Sequence, residues 1–373
     1  MKILNVVGAR PNFMKIGPLC RAFESRAGIE SLLVHTGQHY DQNMSRIFFD
    51  DLELPRPDMN LGVGSGTHGV QTARVMESFE KVLMENRPDL VIVVGDVNST
   101  LACSLSASKL GIAVAHVEAG LRSFDRSMPE EINRIVTDTL SDFLFVSERS
   151  GVDNLLNEGI ARDKIFFVGN IMIDTLVLNL ERIKSRKIES GVPAEDYAVL
   201  TMHRPSNVDN PETFEIVVRA LLEGCGGLPV FFPVHPRTRE RINKFGLKKY
   251  FREFDENTAG AGGLILMDPL GALEFLALMK NAKLVLTDSG GIQEETTYLK
   301  VPCITLRENT ERPVTVEIGT NVIAGSDPVL IKKYISNVLE GRLGESEIPE
   351  MWDGKTGERI AGIIVDKYKS VIQ

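Results

Sequence analysis

The chain has 373 residues, 43% of them hydrophobic and 25% charged, with a formal charge of −9. That length favours two domains over one core, and the composition is that of an ordinary globular protein. A net negative charge argues against nucleic acid or an anionic membrane as the main partner, but not against an anionic small molecule held by local Arg and Lys.

The opening run Met1–Gly8 is too short for a signal peptide and reads as a first strand. No apolar run is long enough to span a bilayer. Strands are expected over Ile3–Gly8, Ser31–Thr36, Leu90–Gly95, Ala113–Val117, Phe143–Val146 and Ile165–Val168. Each is a continuous apolar run, as in strands covered on both faces. Helical patterns such as Gln71–Glu85 and Ser99–Leu110 intervene. After a charged stretch, Glu181–Glu195, with Gly191 and Pro193, the alternation restarts. Strands are expected at Ala198–Met202, Pro229–Val234, Leu264–Met267, Leu284–Thr287 and Cys303–Thr305, with helices such as Pro211–Leu222 and Leu270–Met279 between them. Gly357–Val371 has the pattern of an amphipathic helix. This is βαβ grammar, so the expected fold is α/β with two Rossmann-like domains. The expected boundaries are residues 1–169 and 170–356, with 357–373 as a helix crossing back onto the first domain. The four cysteines form no C-x-x-C pair, consistent with reduced thiols in the cytoplasm. The six histidines lack metal-ligand spacing, so no metal site is expected.

Polar signatures fall at the predicted strand ends, two in each half of the chain, which suggests one active site built between the domains. Gly8-Ala9-Arg10-Pro11 opens a helix whose N–H groups, with Arg10 and Lys15, suit a phosphate; a tight turn with two surface cations is the plainer alternative. It is not a dinucleotide fingerprint. Asp96 either caps the next helix or acts in chemistry. Glu118 follows a buried strand and precedes Ala119-Gly120. Glu130 lies in a first helical turn, where acids commonly just meet the dipole. These three lone carboxylates read as proton-transfer groups. His203 and His235 end two strands of the second half, where His203 can reach a diphosphate or donate a proton. Asp288-Ser289-Gly290-Gly291 lets the backbone approach a phosphate, and Glu295, farther into the helix, suits a ribose diol; ordinary caps on a Gly-rich turn are the alternative. Arg312 adds a cation near the same edge.

Taken in order, these motifs, with Thr36-Gly37-Gln38-His39, His116–Arg122, Pro129–Arg134, Gly169-Asn170 and Thr310–Pro313, resemble the non-hydrolysing UDP-N-acetylglucosamine 2-epimerases over nearly the whole chain. The resemblance implies a GT-B-like arrangement with the active site in the interdomain cleft and UDP held mainly by the second domain. It implies reversible C2 epimerisation of UDP-N-acetylglucosamine to UDP-N-acetylmannosamine, through elimination of UDP to a 2-acetamidoglucal and its re-addition. No cofactor is implied, and the product would feed cell-surface polysaccharide synthesis. It implies a cytoplasmic homodimer acting on a UDP-sugar, with no nucleic-acid or membrane partner.

By motif, Asp96, Glu118, Glu130 and His203 match catalytic positions. Arg10, Lys15, Arg134, Ser289, Gly290, Gly291, Glu295 and Arg312 match substrate-binding positions, with Phe275 as a candidate uracil contact. Gln38, His39 and His235 match an activator site. Two departures stand out. Arg10-Pro11-Asn12 replaces the family's Arg-Pro-Glu, a change expected only to reshape the pocket. After His39 the chain reads Tyr40-Asp41-Gln42 and the Gly62–Gly66 stretch lacks an arginine, which argues for activity needing little or no activator. A 2-epimerase of a related UDP-2-acetamido sugar, a hydrolysing relative releasing N-acetylmannosamine, a GT-B glycosyltransferase and a non-catalytic nucleotide-sugar binding module are the competing readings.

Overall fold

The computed structural model describes residues 1–37, 55–183, 192, 196–255, 261–342 and 344–372. By its internal contacts the chain forms two units, Met1–Leu178 with Glu350–Gln373, and Asn179–Pro349.

In the first unit, short β-branched runs become the strands β1 (Lys2–Val7), β2 (Glu30–His35), β3 (Met59–Asn60), β4 (Leu90–Val94), β5 (Ala113–Ala119), β6 (Phe143–Val146) and β7 (Ile165–Phe167). They form one parallel sheet in the order β3-β2-β1-β4-β5-β6-β7. The helices α1 (Arg10–Glu24), α2 (His68–Asn86), α3 (Asn98–Lys109), α4 (Pro129–Leu140), α5 (Arg149–Asn157) and α6 (Ile171–Ile183) connect or follow the strands. Every residue of β4 is buried. Its Val91 and Val93 pack with Leu4, Val75, Phe79 and Leu83 in one core, each such side chain contributing about 1.5–3 kcal/mol.

The second unit repeats the scheme with β8 (Ala198–Thr201), β9 (Pro229–Pro233), β10 (Phe251–Glu253), β11 (Gly263–Met267), β12 (Leu284–Thr287), β13 (Cys303–Thr305) and β14 (Asn321–Ile323). Their order is β10-β11-β9-β8-β12-β13-β14, again all parallel. Its helices are α7 (Pro205–Val208), α8 (Pro211–Cys225), α9 (Pro236–Lys244), α10 (Ala272–Lys280), α11 (Gly290–Leu299), α12 (Val314–Glu317) and α13 (Pro328–Leu339). The last helix, α14 (Thr356–Ile372), belongs to the first unit and packs on α1.

Three strands escape the sequence reading, β3, β10 and β14, and each is the edge of its sheet. These three are short and half-solvated and lack the continuous apolar run that marks a central strand, whereas the edge strand β7 keeps one. A second difference concerns Glu118. It does not follow β5 but lies within it, where the pairing with β6 shifts register between Val117 and Ala119.

A contact from α6 fixes α1, whose first turns reach the site. Pro18 lies inside the helix and has no N–H to give the carbonyl of Met14. The hydroxyl of Thr175, on α6, donates to that carbonyl instead. The neighbouring Asp174 accepts from the N–H groups of Thr356 (3.1 Å) and Gly357 (2.7 Å), closing the start of α14. Burial pushes the Asp174 carboxyl up to about 6 despite those hydrogen bonds.

Candidate active site

In both sheets the polar groups gather beyond the carboxyl ends of central strands, where the strand order reverses: between β1 and β4 in the first, and between β8 and β12 in the second. Such switch points are where open α/β sheets bind ligands.

In the first unit, β1 ends at Val7 and α1 starts at Arg10, with Pro11 in its first turn. Asn12 is buried and fully used. Its Oδ1 accepts from the N–H groups of Gly8 (3.3 Å) and Ala9 (2.9 Å), and its Nδ2 donates to the Val94 carbonyl (2.9 Å). An amide can both accept and donate here, whereas a glutamate cannot donate to β4, so this departure from the family pattern ties α1 to the next strand. One turn on, Lys15 ion-pairs with Glu118, both buried. Glu118 has a φ of 75°, a left-handed conformation that costs a non-glycine residue about 1–3 kcal/mol and that concentrates at functional sites. The backbone of Gly95 runs beside this pair. A Cβ there would stand 3.2 Å from Lys15 Nζ, 3.2 Å from Asn12 Nδ2 and 3.5 Å from Glu118 Oε2, and its φ is +67°.

Asp96 follows Gly95. The N-cap position of α3 is Val97, one residue further on. Arg134, buried in α4, donates from Nη1 to Asp96 Oδ2 (2.6 Å). Arg134 is held in turn by Glu131, whose carboxylate also accepts from Ser123 and Phe124 N–H groups. Burial pushes the Glu131 carboxyl up, but these N–H donors and Arg134 outweigh it and leave it below the ordinary range. The second acid of Pro-Glu-Glu is therefore the structural one, and Glu130 is the one that faces the cavity. That cavity, of about 240 Å³, is lined by Asp96, Glu130, His68, Gln71, Asn98 and Asn133 among others. The carboxylates that read as lone in sequence are thus not isolated: Glu118 has Lys15 and Asp96 has Arg134. These cations come from α1 and α4, and sequence spacing does not show that pairing.

In the second unit, His203 follows β8 and Asp288 follows β12, strands that pair directly. His203 Nδ1 stands 3.1 Å from Asp288 Oδ1. The other oxygen of Asp288 accepts from the N–H groups of His203 (2.9 Å) and Arg204 (2.8 Å) and from Asn207 Nδ2 (3.1 Å). Burial would push this carboxyl up, but His203 and the two N–H groups hold it below the usual range. His203 itself stays about half exposed. Ser289 caps α11, and Gly290 and Gly291 form its first turn; a Cβ at Gly291 would meet open space. Arg312 pairs with buried Glu294 (2.5 Å), and Arg307 with Glu311 (2.9 Å). Burial raises the Glu311 carboxyl, but Arg312 and Arg307 bring it down to about 2. Glu295, half-buried on α11, is pushed up to about 8 by burial and by Glu294. Phe275 is half-buried in α10. His235 is exposed, and its Nδ1 caps α9 by accepting from Arg237 N–H (3.2 Å). Arg10 opens α1. Gln38 and His39 lie outside the described residues.

Residues 21–365 match the family model described as UDP-N-acetylglucosamine 2-epimerase. The chain belongs to that family. A UDP-N-acetylglucosamine 2-epimerase of Methanocaldococcus jannaschii is 45% identical, over 98% of this chain and 99% of its own. The crystal structure of that enzyme in complex with UDP-GlcNAc and UDP superposes with a TM-score of 0.87, at 45% identity and over 98% and 99% of the two chains. A UDP-2,3-diacetamido-2,3-dideoxy-D-glucuronate 2-epimerase of Pseudomonas aeruginosa is 43% identical over 97% and 98%. The protein is therefore a nucleotide-sugar 2-epimerase with Rossmann-like units. Among the described residues, no helix is long and apolar enough to cross a membrane.

Sequence reasoning gave no role to several residues of this epimerase that the geometry makes part of the site: Glu131, Asp138 and Glu294. His116 was noted only inside a motif. Each is a buried polar residue in a helix or strand, and burial of Asp, Glu or His was the signal that no spacing rule supplied.

Proposed function

We propose that this epimerase interconverts UDP-N-acetylglucosamine and UDP-N-acetylmannosamine without hydrolysis. The carrying observation is the first unit's acid set: Glu118 on a strained bulge against Lys15, with Asp96 beside it sharing a cavity with Glu130. One carboxylate takes the C2 proton while the C1–O bond breaks and its electrons leave with UDP, giving the C1=C2 double bond of 2-acetamidoglucal. In return, a β-phosphate oxygen of UDP bonds to C1 and C2 takes a proton on its opposite face. The sequence is redox-neutral and needs only positioned acids and bases. The second unit's role is to hold the departing diphosphate with the N-terminus of α11, Arg312 and His203, because preorganised donors and charge stabilise a leaving dianion. Relatives named for this substrate support the reading.

The test is an NMR product spectrum from UDP-N-acetylglucosamine and protein alone in deuterated water. UDP-N-acetylmannosamine carrying deuterium at C2, with no free N-acetylmannosamine, is expected. Conversion without deuterium at C2 would exclude elimination. Release of free N-acetylmannosamine would mark a hydrolysing enzyme. Turnover only of the diacetamido uronate would move the specificity to that of the Pseudomonas relative.

A further inference from the structure

Beneath the first unit's site lies a buried charged cluster to which nothing above gives a part in the chemistry. Asp138, on α4, is fully buried, as is His116 of β5. Asp138 Oδ1 meets His116 Nδ1 at 2.6 Å, and its Oδ2 accepts from the Gly120 N–H at 3.1 Å. One carboxylate thus grips β5 two residues before and two residues after Glu118. The far side of the imidazole reaches the neighbouring strand end: Nε2 donates to the Gly95 carbonyl at 2.9 Å. Gly95 directly precedes Asp96. Arg122 stands against Asp138 Oδ2 at 2.8 Å and is itself held by both oxygens of Glu158, at 2.8 and 2.7 Å. A Cβ at Gly120, whose φ is +80°, would meet the Gly151 carbonyl oxygen at 2.4 Å, so the backbone there is pinned on its other side as well.

The bulge at Glu118 explains what this cluster is for. A glutamate in a left-handed conformation persists only where its surroundings over-determine it. The bonds that do so here flank it on both sides and converge on Asp138. His116 joins that bulge to the carbonyl before Asp96, alongside the backbone hydrogen bond from the Gly95 N–H to the Val117 carbonyl (3.1 Å).

We propose that His116 is a positioning residue: with Asp138 it sets Glu118 and Asp96 in one fixed arrangement, so that the two acids are presented to the sugar together. This rests on the reading of those acids as proton-transfer groups. Its consequence is selective. Loss of the linkage misplaces the acids relative to each other while leaving the second unit's diphosphate site intact.

The experiment measures kcat, KM, C2 deuterium incorporation, UDP affinity by calorimetry and thermal midpoint for His116→Phe and His116→Gln. Phenylalanine fills the space without hydrogen bonds. Glutamine keeps an amide N–H able to reach the Gly95 carbonyl. The expected result is a fall in kcat and in deuterium incorporation of about 10²-fold for His116→Phe, the scale of a small misplacement of reacting groups. KM and UDP affinity should stay unchanged, and His116→Gln should recover a large part of the rate. Should His116→Phe not fold, Asp138→Asn takes its place, with the same kcat-selective loss expected. Parental kcat in the folded variant, or a fall in UDP affinity that tracks the fall in kcat, would overturn the positioning role. Failure of the parent protein itself to incorporate deuterium would instead overturn the proton-transfer reading, so the two failures are distinguishable.

Discussion

The two units place their polar groups at equivalent switch points of similar sheets, yet they arm them differently. In the first unit Asp96 and Glu130 line the cavity, with the buried Arg134 behind Asp96, while Glu118 and Lys15 form a buried pair beside Gly95. In the second the order is inverted. The acids Asp288 and Glu294 are the more deeply buried partners, and what they hold forward is His203 and Arg312. A carboxylate presented to ligand suits proton transfer. A carboxylate holding an imidazole or guanidinium in place suits the binding of an anion. The same fold therefore presents a more exposed acid over a buried cation in Asp96–Arg134, and a more exposed basic group over a buried acid in His203–Asp288 and Arg312–Glu294.

The strongest way to break this contrast is Glu118→Gln, which keeps the shape of the side chain and removes its basicity. Activity should fall by about 10²–10⁴-fold, the usual contribution of a general acid–base group, with UDP affinity unchanged. A steady-state assay beside calorimetry checks both, and near-parental turnover would remove Glu118 from the chemistry. Arg312→Ala should act on the other side of the comparison. Losing a charge-assisted hydrogen bond to the diphosphate should weaken UDP binding by roughly 1.5–3 kcal/mol, and calorimetry that shows no change would displace the nucleotide from this unit.

Smaller effects sharpen the picture. Asn12→Ala removes the amide that closes the first turn of α1 and ties it to β4, and a loss of about 1 kcal/mol in unfolding free energy is expected from denaturant titration. An Asn12→Ala protein as stable as the parent would mean that Pro11 and Thr175 suffice to fix α1. The mildest prediction concerns pH. The Glu295 carboxyl is raised from 4.5 to about 8 in the folded chain, so the native state holds a proton that the unfolded state releases first. Its contribution is fully present below pH 4.5 and is lost as pH rises through about 8. Glu295→Gln should flatten the decline of the thermal midpoint across that window, and an unaltered slope would show that Glu295 titrates normally.

Much of this was legible along the chain. The central strands were, because a strand buried on both faces must be apolar at consecutive positions, and β6, β12 and β13 fall on the expected residues. Asp96, Glu118, His203 and Ser289 were singled out for a related reason. A charged, polar or glycine residue that ends an apolar run stands at a strand's carboxyl end, and in this fold class that is where ligands sit. The edge strands β3, β10 and β14 carried no such run and left no mark.

What sequence determined by itself, then, was the alternation of strand and helix, the two-unit organisation it implies, and the short set of polar residues at strand ends. These are local: each follows from the period of apolar residues or from what interrupts it. Only the tertiary structure decided which of those residues are paired and with what. Lys15 and Glu118 are 103 residues apart, His203 and Asp288 are 85 apart, and no spacing rule connects them. It also decided which member of Glu130-Glu131 meets the cavity, because that depends on where Arg134, Ser123 and Phe124 lie. And it decided that β5 bends at Glu118, since the bonds that hold the bulge come from His116, Gly120 and a helix that follows. Burial is the physical reason: a charge taken out of water must find its partner in three dimensions, wherever in the chain that partner was encoded.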